Sequence, residues 1–219
     1  MKTKNQVLIG TFLFLVSISI FAQQNASEII SLKKVINDWD LKLQSTITNG
    51  NFTTQGVIAY VRYSDKTGKV KTLPIKSQKE ADGCLSIGTK YIFYILSDEK
   101  GFIRLISKVF IEPNGNESGG DGLLNCYFNE SGKLVGLFRE FDGYGGGDKE
   151  KRLFNINGIL ISSECSNNFN SGDKYEKVKC ENIDIYLDNT STDLKPPIQY
   201  FYNDNSWKNL NKIKAAFKL

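Results

Sequence analysis

Histidine is absent from all 219 residues, and that limits the chemistry the chain can attempt. Without imidazole there is no Ser-His-Asp or Cys-His nucleophile, no His-ligated zinc and no ordinary proton shuttle at neutral pH. Gly-x-Ser-x-Gly, the phosphate-binding loop and the dinucleotide glycine fingerprint are missing as well. The groups left for catalysis are carboxylates, lysines, tyrosines and cysteines.

Two acidic, glycine-rich runs stand out. One is Glu140-Phe141-Asp142-Gly143-Tyr144-Gly145-Gly146-Gly147-Asp148, the other Glu117-Ser118-Gly119-Gly120-Asp121-Gly122. Two carboxylates held roughly 5 Å or roughly 6.5–9.5 Å apart cleave glycosides by retention or inversion. Glu140 or Asp142 paired with Asp121 is the candidate catalytic set. As a recognition surface, the same loops would present Tyr144, Asp142, Asp148, Glu117 and Asp121. Oxygen-rich glycine loops also suit Ca²⁺, although neither run has the Asp-x-Asp-x-Asp-Gly spacing of a dedicated calcium loop. The plainer expectation is a pair of solvated connections between strands, where binding residues commonly gather.

The four cysteines are Cys84, Cys126, Cys165 and Cys180. An even count in an exported chain points to disulfides. Four cysteines allow three pairings; the reading preferred here is Cys165–Cys180 with Cys84–Cys126. No CxxC spacing occurs, so no metal site is expected. Cys84, if unpaired, is a nucleophile candidate with only Lys79 and Lys90 close in sequence to lower its pKa.

Export is read from the first residues. Lys2 and Lys4 precede an uncharged apolar run over residues 7–21, then Ala22 and the polar Gln23-Gln24-Asn25. Basic, apolar, small and polar in that order is the pattern of a cleavable secretory leader. The run is shorter than the roughly 20 residues a spanning helix needs. The Phe-Ala-Gln ending resembles the leaders of Bacteroidota-type bacteria. The expected division is a signal peptide over residues 1–22, cleaved near Ala22, and one β-rich domain over residues 23–219, secreted or periplasmic. Loss of Lys2 and Lys4 takes the formal charge from +4 to +2. A nearly neutral chain has no basic field for nucleic acid. No later apolar run is long enough to span a membrane, so the mature chain is expected to carry no transmembrane segment.

These groups need a scaffold. Ile29, Leu32, Ile36, Trp39, Leu43 and Ile47 fall at steps of three and four, which predicts an amphipathic helix over residues 27–47, capped by Ser27. Lys33, Lys34, Asp38, Asp40 and Lys42 are assigned elsewhere on its surface. Strands follow over residues 57–63, 69–75, 91–96, 102–111, 124–128, 133–141, 152–156, 159–163 and 179–187, with a short edge strand at 198–202. A last amphipathic helix runs from Ser206 to the end, with Trp207, Leu210, Ile213 and Phe217 on one face.

Four hairpin turns end in glycine: Gly68, Gly101, Gly132 and Gly158. Two match position by position: Phe128-Asn129-Glu130-Ser131-Gly132-Lys133-Leu134 and Phe154-Asn155-Ile156-Asn157-Gly158-Ile159-Leu160. This turn chemistry resembles the aromatic-Asn-Gly-Lys-Leu hairpins of bacterial antitoxin-like and MORN-type repeats. The glycines are 26 to 33 residues apart, too uneven for a strict solenoid.

The fold expected is α+β: an antiparallel hairpin meander of about nine or ten strands, flanked by an N-terminal and a C-terminal amphipathic helix. A sheet of that size tends to curl or close towards a barrel. The function expected is an exported, non-enzymatic binding protein of the bacterial envelope. It would recognise a protein or a glycan through its glycine-rich loops, an immunity-type inhibitor being one version. The alternatives are a carboxylate-dependent hydrolase of glycan or cell wall, and a structural envelope component.

Overall fold

The computed structural model describes residues 3–54, 56–64, 67, 70–85, 90–111, 120–143, 145–169 and 174–180, without side chains at 3–25, 62–64, 70–71, 82, 84–85, 90 and 110–111. Two helices and nine strands occur among them. They are α1 (Thr3–Asn49), β1 (Val57–Ser64), β2 (Val70–Ile75), α2 (Gln78–Leu85), β3 (Lys90–Ser97), β4 (Ile103–Ile111), β5 (Gly120–Phe128), β6 (Leu134–Gly143), β7 (Gly146–Phe154), β8 (Leu160–Asn167) and β9 (Glu176–Val178).

The strands form one antiparallel sheet in the order β2-β1-β3-β4-β5-β6-β7-β8-β9. The expected meander is there, but the sheet is open. The edges explain why. β9 has three residues, and Pro74 in β2 has no N–H to offer a further strand. The first hairpin is also reversed: β3 pairs with β1, not with β2. α2 carries the chain across β1 to make that possible. Ser77 caps its N-terminus and Glu80 reaches back past the cap, a variant of the capping box. The Glu80 N–H donates to Ser77 Oγ at 3.3 Å, and Glu80 Oε2 accepts the Lys76 N–H at 2.7 Å.

Three turns are built alike. In 98–102, 129–133 and 155–159, the side-chain oxygen of Asp98, Asn129 or Asn155 accepts the backbone N–H groups two and four residues on. The glycine in each has positive φ (79°, 74° and 81°), a conformation that side chains rarely tolerate. A register shift marks each pair, at Ser97, Phe128 and Phe154. β3–β8 are therefore three copies of one hairpin.

The sheet is buried on both sides at its centre, as the nearly unbroken apolar runs of β1 and β3 require. One side gathers Tyr60, Phe93, Ile106, Cys126, Leu137 and Phe154. The other gathers Val61, Ile92, Leu105, Tyr127, Val135 and Leu153 beneath α1. The predicted stripe of α1 does face the sheet, with Ile36 and Leu43 buried. The helix runs through Ser27 back to Thr3, so Ser27 is inside it and not its cap. Gly50, at φ 63°, ends it. Among the described residues no helix is long and apolar enough to cross a membrane.

Cys165 and Cys180 form the expected disulfide, with a Cα–Cα distance of 5.3 Å. The second pairing does not form. Cys126 is a free, buried thiol in the core. Burial pushes its pKa up to about 12, against the pull of the nearby Lys108 charge. β9 ends at Val178, and of the strand expected over residues 179–187 only 179 and 180 are described, neither of them in a strand. Residues 181–187, the edge strand at 198–202 and the C-terminal helix lie outside the described residues.

Candidate functional site

The strand register decides the fate of the acidic candidates. Asp121 on β5 faces Asp142 on β6, and Glu140 faces Lys149 on β7. Side chains of directly paired residues share a side, and so do those two apart on one strand. Asp121, Glu140 and Asp142 therefore lie on one side of the sheet, and all three are exposed. Asp148 pairs with Phe141 and projects from the other side. There Arg139 binds it at 2.6 Å. Glu140 is in turn held by Lys149 at 2.6 Å. The four carboxylates do not meet in one site. Among the described residues no group of three carboxylate or thiol side chains is placed to hold a metal ion. Tyr144 and Glu117 lie outside the described residues.

Most of the described residues of the two glycine-rich runs are in strands. β5 begins at Gly120, and β6 and β7 extend to Gly143 and Gly146, which pair with each other. Gly120 and Gly147 are there for close packing. A Cβ on Gly147 would sit 2.4 Å from the Phe141 carbonyl oxygen and 2.5 Å from the Tyr175 hydroxyl. The connection between β6 and β7 is therefore short, with Glu140, Asp142 and Gly145 exposed beside it.

A concave site that none of these carboxylates lines lies between α1 and β6–β8. It is a cavity of about 290 Å³ lined by Ile36, Asp40, Phe138, Lys151, Ser162 and Glu164, with Lys33, Asn37 and Leu153 completing it. Gly136 makes the layer this thin. A Cβ there would meet Ile36 Cδ1 at 2.6 Å and Tyr127 Cδ2 at 3.1 Å, so only glycine lets α1 settle onto β5 and β6. That approach places Asp40 over the sheet, where the Tyr127 hydroxyl donates to Asp40 Oδ1. Asn125 donates through Nδ2 to the Tyr127 oxygen at 3.1 Å and more weakly to Asp40 at 3.5 Å.

The electrostatics follow from this packing. Burial raises the pKa of Asp40 above its usual 3.8, opposed by the Tyr127 hydrogen bond, the Lys151 charge and the Asn125 amide. Burial also raises the Tyr127 phenol, and its bond to Asp40 raises it further. Lys151 lies 5.4 Å from the centre of the Phe138 ring. At the rim Lys33 and Glu164 approach to 3.9 Å, both exposed. Behind Asp40 the buried Ser107 Oγ and Asn125 Oδ1 have no hydrogen-bond partner among the described residues, and the two residues face each other across β4 and β5. The cavity thus offers acceptors, cationic donors and neutral amide and hydroxyl groups above an apolar floor.

Reading the residues alone missed this site. Asp40 was placed off the buried stripe, although it lies four residues after Ile36 and three before Leu43. That spacing was the available signal. Asn125 and Tyr127 alternate with Cys126, which marks them as facing the opposite side of β5. No protein-family model matches this chain, and no curated protein or solved structure matches it either.

Proposed function

We propose that the protein is an exported binding module of the bacterial envelope that holds one sugar-sized unit of a glycan in the cavity beneath α1. The observation that carries this reading is the lining itself. Asp40 is fixed by Tyr127 and Asn125 beside Lys151, and the apolar side chains of Phe138, Ile36 and Leu153 line the same cavity. A sugar ring has an apolar face and a rim of hydroxyls, and pockets that bind such groups pair an apolar wall with a few placed polar side chains. The volume is near the lower end of ordinary ligand pockets, roughly 300 Å³.

Binding is favoured over hydrolysis because Asp40 Oδ1 is already engaged by two donors, the arrangement of a positioned acceptor. Glu140, Asp142 and Asp121 are exposed and do not line this cavity. The Cys165–Cys180 disulfide supports export, since such bonds persist in oxidising compartments. Cleavage of residues 1–22 near Ala22 completes the reading.

The test is a glycan array probed with the wild-type chain and with Asp40→Asn and Lys151→Met. Retention of a glycan by the wild type, weakened about tenfold or more in both variants, supports the proposal. Equal retention by all three, or release of cleaved sugar, rejects it.

A further inference from the structure

The three equivalent turns provide an internal control. The first opens on Asp98 and the others on Asn129 and Asn155, and all three side chains accept the same backbone bonds. The turn therefore needs an Asx oxygen but no charge. Three residues after the glycines come Arg104, Val135 and Ile161. Val135 and Ile161 pack in the apolar layer beneath α1, so this position needs no charge either. Arg104 is nonetheless only 8% exposed. Burying a charge is costly unless it is paired, and a buried ion pair is often no more stabilising than apolar residues of similar volume. The first copy thus carries an ion pair that the fold does not require. Arg104 Nε and Nη2 donate to Asp98 Oδ2 at 2.9 and 2.6 Å, and Glu130 stands 3.8 Å from Nη2.

The pair lines a groove of about 560 Å³ on the flank of α1 away from the cavity that holds Asp40. α1 contributes Leu32, Val35, Trp39 and Lys42 to this groove, and Lys33, Ile36, Asn37 and Asp40 to that cavity. The facing wall is made by the tips of the first two hairpins, with Val135 behind them. Trp39 is partly buried, and Lys42 Nζ lies 4.6 Å from its ring centre. Polar groups of both kinds surround the ring. Asn129 commits Oδ1 to its turn, and neither its Nδ2 nor Arg104 Nη1 has a hydrogen-bond partner among the described residues. Glu99 and Glu130 supply exposed acceptors. Lys42, Lys100 and Arg104 balance Asp98, Glu99 and Glu130, so the lining has no formal net charge.

We infer that this groove is a second carbohydrate site, in which an uncharged sugar lies against Trp39 and exchanges hydrogen bonds with Arg104, Asn129 and Glu130. Donors and acceptors without net charge suit hydroxyl groups better than an ionic ligand, and the indole supplies a broad apolar wall. The inference rests on the glycan reading above for its ligand class, but on none of the residues of the first cavity.

The test uses the full chain carrying Trp207→Phe, which leaves Trp39 as the one tryptophan. The probes are cellotetraose, chitotetraose, mannotetraose and xylotetraose. The expected result is a saturable change in Trp39 emission with at least one of them. Asp98→Asn with Arg104→Met should weaken that titration about tenfold or more and leave the urea midpoint unchanged or higher, since the other two copies fold with Asn and an apolar residue. Glu130→Ala, at an exposed side chain, should weaken it severalfold with the fold intact. Asp40→Asn should leave it in place. No emission change with any tetraose, or a titration indifferent to both groove variants, overturns the inference. So does a change given only by a mixed hexapeptide pool, which would make the groove a peptide site. Glycan retention lost in Asp40→Asn with a silent Trp39 removes this site and keeps the first cavity; a Trp39 response with retention unaffected by Asp40→Asn does the reverse.

Discussion

Asp40 is the residue on which the site turns. Its carboxyl is held above the ordinary value by burial, and only partly restrained by Tyr127, Lys151 and Asn125. The folded chain therefore binds this proton more tightly than the unfolded chain does. As pH rises from below 3.8 through the folded pKa, Asp40 contributes progressively less stability. Asp40→Asn removes that dependence and keeps an acceptor for the Tyr127 hydroxyl. Urea unfolding from about pH 3 to about pH 7 should show the variant gaining on the wild type as pH rises. A constant difference would mean that the carboxyl is not buried as described. Tyr127→Phe removes a bond that lowers the Asp40 pKa, so that pKa should climb further, as followed by carboxyl ¹³C shifts.

At the scale of elements, the contact between α1 and the sheet rests on Gly136. Gly136→Ala forces its Cβ against Ile36 and Tyr127 and should cost about 1–3 kcal/mol in urea unfolding. It should also lift α1 enough to disturb Asp40. The hairpin units make a second prediction. Asn129→Ala leaves two backbone N–H groups without their acceptor and should cost about 1–2 kcal/mol, whereas Ile159→Ser should change stability by less than about 0.5 kcal/mol. These turns were legible in the sequence because their chemistry is local: an Asx oxygen, two intervening residues and a glycine suffice. α1's stripe was legible for the same reason. The extension of β5, β6 and β7 into the glycine runs was not, because what makes Gly120 and Gly147 strand residues is a neighbouring strand. Composition alone reads Gly-Gly-Asp as a loop.

For the whole molecule, the open edge is secured at one point by Cys165–Cys180. In the chain-entropy account a loop of this length adds roughly 3 kcal/mol, so reduction should lower the urea midpoint while the three hairpins persist. The second expected bridge failed because Cys126 belongs to the core, which sequence spacing cannot reveal. The site was illegible for a related reason. Asp40, Asn125, Tyr127, Lys151 and Ser162 come from α1, β5, β7 and β8, and only the register of an open sheet under a crossing helix assembles them. The acidic run at 140–148 looked richer in chemistry, yet the pleat sends Asp148 to the side opposite Asp142. The most direct test is amide hydrogen exchange on the chain with and without the glycan that the array retains best. Added protection should fall on residues 33–40, 138, 151–153 and 162–164. Protection confined to residues 142–148, or spread evenly over the sheet, would contradict a binding site beneath α1.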